Sequence, residues 1–498
     1  MSNLNKDILF LLFEELQDDS KSLFSCLLVN RLWCETVVPI LWKNPWRFDY
    51  LNYKKKYYLF IIITLNISDE TKECLLSQGI RLPSKLQYFP PLFDYLSFCR
   101  SINVNVINDI INIPSSSPYN RFLLQQEVYK LLMKKCPDFR FLDMRSMEHQ
   151  LFYFPEATMR FELLSELKCD SSIDSIYFYG LARICHCIQN IIIFNTDTKV
   201  NRGIVKLIEN QKNLKYFKWE NDFDDYVEED TYDEIFLALV KKSHTLTHFI
   251  SSFREGSIYT FPSEILPELY NLKALKLNFH PIFDFYYDEK FSNSTYRNLE
   301  TLQLCDYILI NTVVCIIKNS GGHLRKISIN SFDINYNFYE DSLILIQKIY
   351  ECCPLIEHLS LTFPSSKIHF NEFEKLLRIC KELRVLDMLD ANVIEESQEM
   401  KLIYGENLSK VLNKVTPNNL REIRFCDYFK FSLKSLETFL ENWKGSFQLS
   451  FLTSDHIYSK EEYLKLINKY KNDGVIKDFR CDFERNNRNK FIHQQSKK

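Results

Sequence analysis

At 498 residues the chain is longer than one hydrophobic core supports, so several domains or an array of stacked repeats is expected. Its 46% hydrophobic and 26% charged residues are those of an ordinary folded protein, which excludes a disordered or fibrous chain. A net charge of -3 leaves no basic footprint for nucleic acid, and only 9 glycines leave little scope for phosphate-cradling loops.

The start, Met1 to Asp7, is polar and does not read as a secretory leader. The longest apolar run, Tyr57 to Leu65, is too short to span a bilayer. The 15 cysteines are therefore expected as reduced thiols in a cytoplasmic and/or nuclear protein with no membrane partner. Along the first fifty residues, Ile8, Leu12 and Leu16 lie four apart, with Leu9 and Phe13 one position on, which predicts a helix with a wide apolar face. The polar break Gln17 to Ser20 offers Asp19 or Ser20 as the cap of a second helix carrying Leu23, Phe24, Leu27, Leu28 and Val29. A short third helix holds Leu32 and Trp33, and Pro39 is expected to end it before Ile40-Leu41-Trp42. Burying one such side chain is worth roughly 1.5–3 kcal/mol, and three short helices have too little interior for all of them. A partner or a following domain must cover the remainder.

In order and spacing, Leu4, Asp7-Ile8-Leu9, Leu16, Asp19, Leu23, Leu28-Val29-Asn30-Arg31-x-Trp33 and Leu41-Trp42 resemble the F-box motif. The sequence departs from it at Asn5, where the family most often has a proline that presets the first helical turn. The resemblance implies three helices that bind a Skp-type adaptor and, through it, a cullin-based ubiquitin ligase. The matching contact positions are Leu4, Ile8, Leu16, Leu23, Val29, Trp33, Leu41 and Trp42, with Trp33 and Trp42 as the hot spots. The rival reading has the same residues cap the following domain as an ordinary helical end.

Residues 49–125 fit neither module and read as an irregular connector. Within it, Tyr57 to Leu65 is strand-like or buried-helix-like, Ser115 to Pro118 looks like an exposed loop, and Lys54-Lys55-Lys56 reads as solvated. Beyond it an apolar-x-x-apolar-x-apolar pattern recurs. The eight clear copies have their first apolar residue at 214, 246, 272, 299, 324, 356, 383 and 420, in steps of 25 to 37. Weaker copies start at Phe139, Ile173 and Ile188 and lie near Leu449 and Ile476. Amphipathic stretches of helical period separate the copies, so each unit reads as strand, turn, helix and return. Cys136, Cys352-Cys353 and Cys380 close helices just ahead of the next strand, which resembles the cysteine-containing leucine-rich repeats common in F-box proteins. The fold implied is α/β: an F-box over 1–48, the connector over 49–125, a degenerate leucine-rich-repeat domain over 126–485 and a polar basic tail over 486–498. One repeat cannot bury its own apolar face, so the units are expected to stack into a curved solenoid, a horseshoe lined by strands.

In that pattern the residues flanking the second and third apolar positions point outward. The candidate substrate-binding residues among them are Lys276, Gln303, Ser328, Ser360, Asp387 and Arg424. A row so mixed in charge suits a protein partner more than a nucleic acid. No P-loop, GxGxxG or GxSxG occurs, and Cys185-His186-Cys187 has no second ligand pair, so neither metal nor cofactor is expected. Two of those three side chains are expected inside the repeat. Asp222 to Asp230 is an acidic insertion that reads equally as a soluble loop or as a site for a basic partner. The resemblance thus implies a non-catalytic substrate receptor of an SCF-type ubiquitin ligase, of the degenerate-repeat kind found in expanded fungal families. The alternatives are an F-box/leucine-rich-repeat scaffold acting with the adaptor outside the ligase, and a hydrolase or transferase with an unusual site within 47–125.

Overall fold

The computed structural model describes residues 5–47, 53–83, 91–114, 117–197, 199–221, 232–253, 265–279, 294–305, 310–330, 338–388, 397–415, 419–425 and 429–481. Leu4, the Ser115-Ser116 pair, the acidic insertion 222–230 and the tail 486–498 lie outside them. The chain forms two compact units, Met1–Lys218 and Trp219–Gln494. Both are α/β, with parallel strands alternating with helices.

The first unit opens with helices α1 (Lys6–Glu15), α2 (Ser20–Cys26) and α3 (Arg31–Lys43). Each starts on a side-chain cap: Asn5 accepts from Asp7 N at 3.4 Å, Asp19 from Ser22 N at 3.2 Å and Asn30 from Trp33 N at 2.9 Å. Asn5 therefore replaces a preset proline turn with a capping oxygen. Contrary to expectation, α3 continues through Pro39 to Lys43. Proline removes one ladder donor there, a cost of about 3 kcal/mol in a helix interior. Burial of Thr36, Val37, Val38 and Ile40 along the same helix offsets it.

The three helices enclose Leu9, Phe13, Leu23, Val37 and Ile40, with Leu16, Cys26, Leu27, Trp33 and Leu41 packed around them. Phe13 and Trp33 meet edge to face at 5.1 Å. The end of α3 is tied to strand β1 (Ser101–Asn103) by polar bonds. Arg100 N donates to Lys43 O at 2.9 Å, and the buried Trp46 Nε1 donates to Ser101 O at 2.8 Å.

The stretch read as an irregular connector is mostly helical, with helices Tyr53–Leu65, Asp69–Ser77, Tyr95–Phe98 and Val104–Ile111, and with β1 inside it. Tyr57 to Leu65 lacks a clear period because Leu59, Phe60, Ile61 and Ile63 are buried on several sides of one helix. Lys56 of the lysine triplet pairs with Asp109 at 2.6 Å.

Strands β1, β2 (Phe141–Asp143), β3 (Glu166–Asp170) and β4 (Asn190–Asn195) pair in parallel, each with the next. Two repeats differ from the sequence reading. The β3 unit starts at Leu164, not Ile173, and follows the pattern as Leu164, Leu167 and Cys169. The β1 unit, unread in the sequence, follows it as Cys99, Ile102 and Val104. In both, a fully buried cysteine stands where a large apolar residue is customary, so a search for leucine-like residues passes over it. Strand β5 (Tyr216–Asn221) runs across the boundary between the units.

The second unit contains β6 (His248–Phe253), β7 (Ala274–Phe279), β8 (Thr301–Cys305), β9 (Lys326–Asn330), β10 (His358–Leu361), β11 (Val385–Met388), β12 (Glu422–Phe425), β13 (Leu449–Thr453) and β14 (Ile476–Arg480). Each pairs in parallel with the next. Phe249, Leu275, Leu302, Ile327, Leu359, Leu386, Ile423 and Phe451 stand in register and are buried. The first apolar residue of every clear copy in this unit, from Leu246 to Leu420, is fully buried, as are Cys353 and Cys380.

Two polar devices join successive repeats. Asn271 and Asn419 donate to the carbonyls of His244 and Lys381 in the repeat before, both at 2.9 Å. Lys430 and Asp455 form a buried ion pair at 2.7 Å, and Lys430 also donates to Gln398 Oε1 at 2.6 Å. Helix Gln398–Val415 lies against the Lys430 backbone through Gly405, where a Cβ would collide with the Lys430 peptide group. Backbone cannot rotate aside as a side chain can, so Gly405→Ala is expected to lower unfolding stability by about 1–3 kcal/mol or more in urea titration. A shift below about 0.5 kcal/mol would contradict this packing.

Candidate functional site

The eight F-box-like positions divide by environment. Leu23 is buried in the three-helix core, and Leu16, Trp33 and Leu41 pack against that core. Trp42 packs against Tyr95 with the rings tilted at 36° and their centroids 4.6 Å apart, which ties it to the connector. Ile8 and Val29 are exposed, 49% and 54%, and Leu4 lies outside the described residues.

Further large apolar side chains of these three helices, which the sequence reading did not separate from the core, are exposed as well. Leu11, Leu12, Phe24 and Leu32 are exposed, and Leu28 is 89% exposed. On α1, Ile8, Leu11 and Leu12 share one face at i, i+3 and i+4, whereas Leu9, Phe13 and Leu16 face the core at i, i+4 and i+7. Residues 8–13 read Ile-Leu-Phe-Leu-Leu-Phe, apolar all round, so periodicity alone does not say which side is inside. Contiguous large apolar side chains left in water mark an interaction surface rather than a solvated face.

The six candidate substrate-binding residues come together as one ladder row. Lys276, Gln303, Ser328, Ser360, Asp387 and Arg424 are successive register partners across β7 to β12. The row before it holds Ala274, Thr301, Lys326, His358, Val385 and Glu422. Lys276, Gln303, Ser328 and Arg424 are half-buried, as the outward reading requires. Ser360 and Asp387, also expected to point to solvent, are buried: both are short, and Arg424 lies next to Asp387. Of the other outward positions read from the pattern, Ala274 and Thr362 are buried too, while Leu389 and Cys426 lie outside the described residues.

The electrostatics centre on Asp387. Arg424 Nη1 stands 3.9 Å from its Oδ2, while Arg424 Nη2 bonds Glu422 Oε1 at 2.5 Å. Asp387 Oδ1 is buried without a hydrogen-bond partner. Burial pushes the Asp387 carboxyl up to about 6, further raised by Glu422 and only partly countered by Arg424, Ser360 and Lys326. His358 is pushed down to about 3 by burial and by Lys326 and Arg424, so it stays neutral. Lys326 is lowered by burial and by the charges of Lys276 and Arg424.

Of Cys185-His186-Cys187, only Cys185 is buried, its Sγ 3.4 Å from Phe161 O, while His186 is half-buried and Cys187 exposed. One side chain, not two, thus lies inside the repeat: Cys185 closes helix Ser175–Ile184 in extended conformation with its thiol inward. Among the described residues no group of three or more His, Cys, Asp or Glu side chains converges as a metal site, and no helix is long and apolar enough to cross a membrane. Comparison of the sequence with models of known families and with curated proteins finds no match.

Two outcomes follow from these environments. Leu23→Ala should cost about 2–5 kcal/mol as a core truncation, and Leu28→Ala should stay within about 0.5 kcal/mol, read by urea unfolding of the full chain. Equal costs would show that the faces are wrongly assigned. For Asp387, the ordinary carboxyl value is about 3.9, so the folded chain binds its proton more tightly than the unfolded chain. This group opposes folding at neutral pH, and the penalty fades as pH falls through about 6 toward about 4. Asp387→Asn should therefore be the more stable form at about pH 7.5, with the gap closing by about pH 4.5. A gap independent of pH would contradict the assignment.

Proposed function

We propose that this chain is the substrate-recognition subunit of an SCF-type cullin ubiquitin ligase, an F-box protein with leucine-rich repeats. The observation that carries this reading is the double-sided apolar α1. Its Leu9–Phe13 side is used by the chain's own core, while its Ile8–Leu11–Leu12 side, with Leu28 and Val29, is left in water. A helical end that merely caps a repeat domain needs one apolar side, not two. The F-box-like residue order supplies the identity of the partner, a Skp-type adaptor.

The strand–helix units support the remainder of the reading. Repeats with a regular apolar triad and a half-exposed polar strand row suit a rigid surface that presents a protein substrate. No catalytic step is assigned to the chain. Holding a substrate near the ubiquitin-charged enzyme raises the rate by proximity, through effective concentration rather than bond chemistry.

The test is co-purification with a Skp-type adaptor. The full chain should hold the adaptor stably, and the double variant Ile8→Glu, Leu28→Glu should lose it by more than about hundredfold in affinity while keeping its native unfolding midpoint. Both residues are exposed, so loss of binding would not reflect loss of fold. Trp33→Ala or Trp42→Ala is less discriminating, because those rings also pack on Phe13 and Tyr95. An adaptor that binds the double variant as well as the native chain would refute the interface, and no binding by the native chain would refute the function.

A further inference from the structure

We infer that the cavity between the end of α3 and the starts of β1, β2 and β3 is a binding site for a free α-amino acid with an apolar side chain. The cavity lies wholly within the first unit and shares no lining residue with the exposed Ile8–Leu11–Leu12 face.

The cavity holds about 260 Å³, roughly the share of nine liquid water molecules, which is room for a ligand of about ten non-hydrogen atoms. One ladder row lines it: Ser101, Phe141 and Glu166, register partners on β1, β2 and β3. Leu23 of α2 and Ile40 and Leu41 of α3 join Phe141 as its apolar lining. The Phe141 ring already carries Lys168 Nζ over it at 5.2 Å. A largely apolar lining with a few polar groups is what a small-molecule site needs.

Four cations and one carboxylate also line the cavity, and every cation is already paired. Lys43 meets Glu14 at 3.3 Å, Arg47 meets Asp18, and Arg100 and Arg140 share Asp138 at 3.2 and 2.7 Å. With Glu166 counted, four positive charges stand against four negative ones, so the site is balanced in charge. It is not balanced in pairing. Asp138 serves two guanidinium groups, while the Glu166 carboxylate has no hydrogen-bond or ion-pair partner among the described residues. Arg140 uses its Nε on Asp138, and its Nη groups have no partner among the described residues. Such a fork of N–H donors suits a carboxylate.

A ligand that preserves the charge balance carries both signs: an ammonium for Glu166 and a carboxylate for the Arg140 fork. Glu166 N donates to Arg140 O at 2.9 Å, so the acid and the fork stand at the starts of two paired strands, within reach of one small molecule. Its side chain is then left for Leu23, Ile40, Leu41 and Phe141. An ammonium, a carboxylate and an apolar group on one small frame define an apolar α-amino acid.

The measurement is isothermal titration calorimetry of the full chain near neutral pH with L-leucine, glycine, N-acetyl-L-leucine and L-leucinamide. L-leucine should bind with a Kd of about 0.1 mM or below. Glycine lacks the apolar group, N-acetyl-L-leucine the ammonium and L-leucinamide the carboxylate, and each should bind at least about tenfold more weakly. Glu166→Gln should lose the preference for leucine over N-acetyl-leucine, and Arg140→Gln the preference over leucinamide. Absence of leucine binding up to about 10 mM, or equal binding of leucine and its blocked forms, overturns the site. Preferences that survive unchanged in both variants overturn its placement in this cavity. The four-ligand comparison on the native chain needs no variant, so it decides the ligand class even if a substitution prevents folding. The adaptor takes no part: a chain that holds the adaptor but does not bind leucine refutes this site alone.

Discussion

The parallel alignment of apolar triads carries the rest of this structure. A strand of three to six residues with one helix behind it has two neighbours to meet and no interior of its own. Leu359 on β10 is buried because Ile327 and Leu386 stand in register on either side, and each of those depends on the next strand in turn. The same repetition explains why insertions are tolerated between copies. Lengthening a return loop costs only a slowly growing closure entropy and leaves the register untouched. It also explains why cysteine serves at Cys99, Cys169, Cys353 and Cys380, where a small apolar side chain fills the space between stacked units.

What register does for the core, it also does for the outer face. Along the row from Lys276 to Arg424, residues separated by 25 to 37 positions in sequence become neighbours, so one polar choice per repeat adds up to a surface. Lys326, His358, Asp387 and Arg424 come from four different strands and bear on one another's charge only once those strands pair. Asp387 is disfavoured as a charged group in its own right, and Arg424, shared with Glu422, compensates only in part. A repeat domain has ample apolar burial to tolerate one such position.

The first three helices obey a different constraint. They are too small to bury both sides of α1, so one side packs inward with Phe13 on Trp33 and the other remains outside. Trp46 and the Lys43 carbonyl bond to the first strand region at Ser101 and Arg100, which anchors the end of α3 within the same unit. Helix α3 runs through Pro39 because the residues on both sides of that proline are buried, and tertiary packing outweighs one lost ladder bond.

The strand–helix alternation, the eight clear repeats and the three N-terminal helices were legible in the sequence, because apolar period and capping residues are local signals. The six-residue outward row was legible too, since alternation along a strand dictates which residues share a face. Tertiary structure alone decided the remainder. Ile8 and Leu9 are chemically equivalent neighbours on a helix that is apolar all round, and only the packing of α2 and α3 selects Leu9 as interior. The repeats at β1 and β3 were hidden because their third residue in one and first in the other differ from a leucine pattern by cysteine, a residue whose burial depends on its neighbours. Ser360 and Asp387 sit at outward positions yet are buried, because the side chains that surround them come from strands remote in sequence. Local periodicity specifies which elements form; which of two equal faces turns inward, and which polar group is thereby desolvated, follows only when distant segments meet.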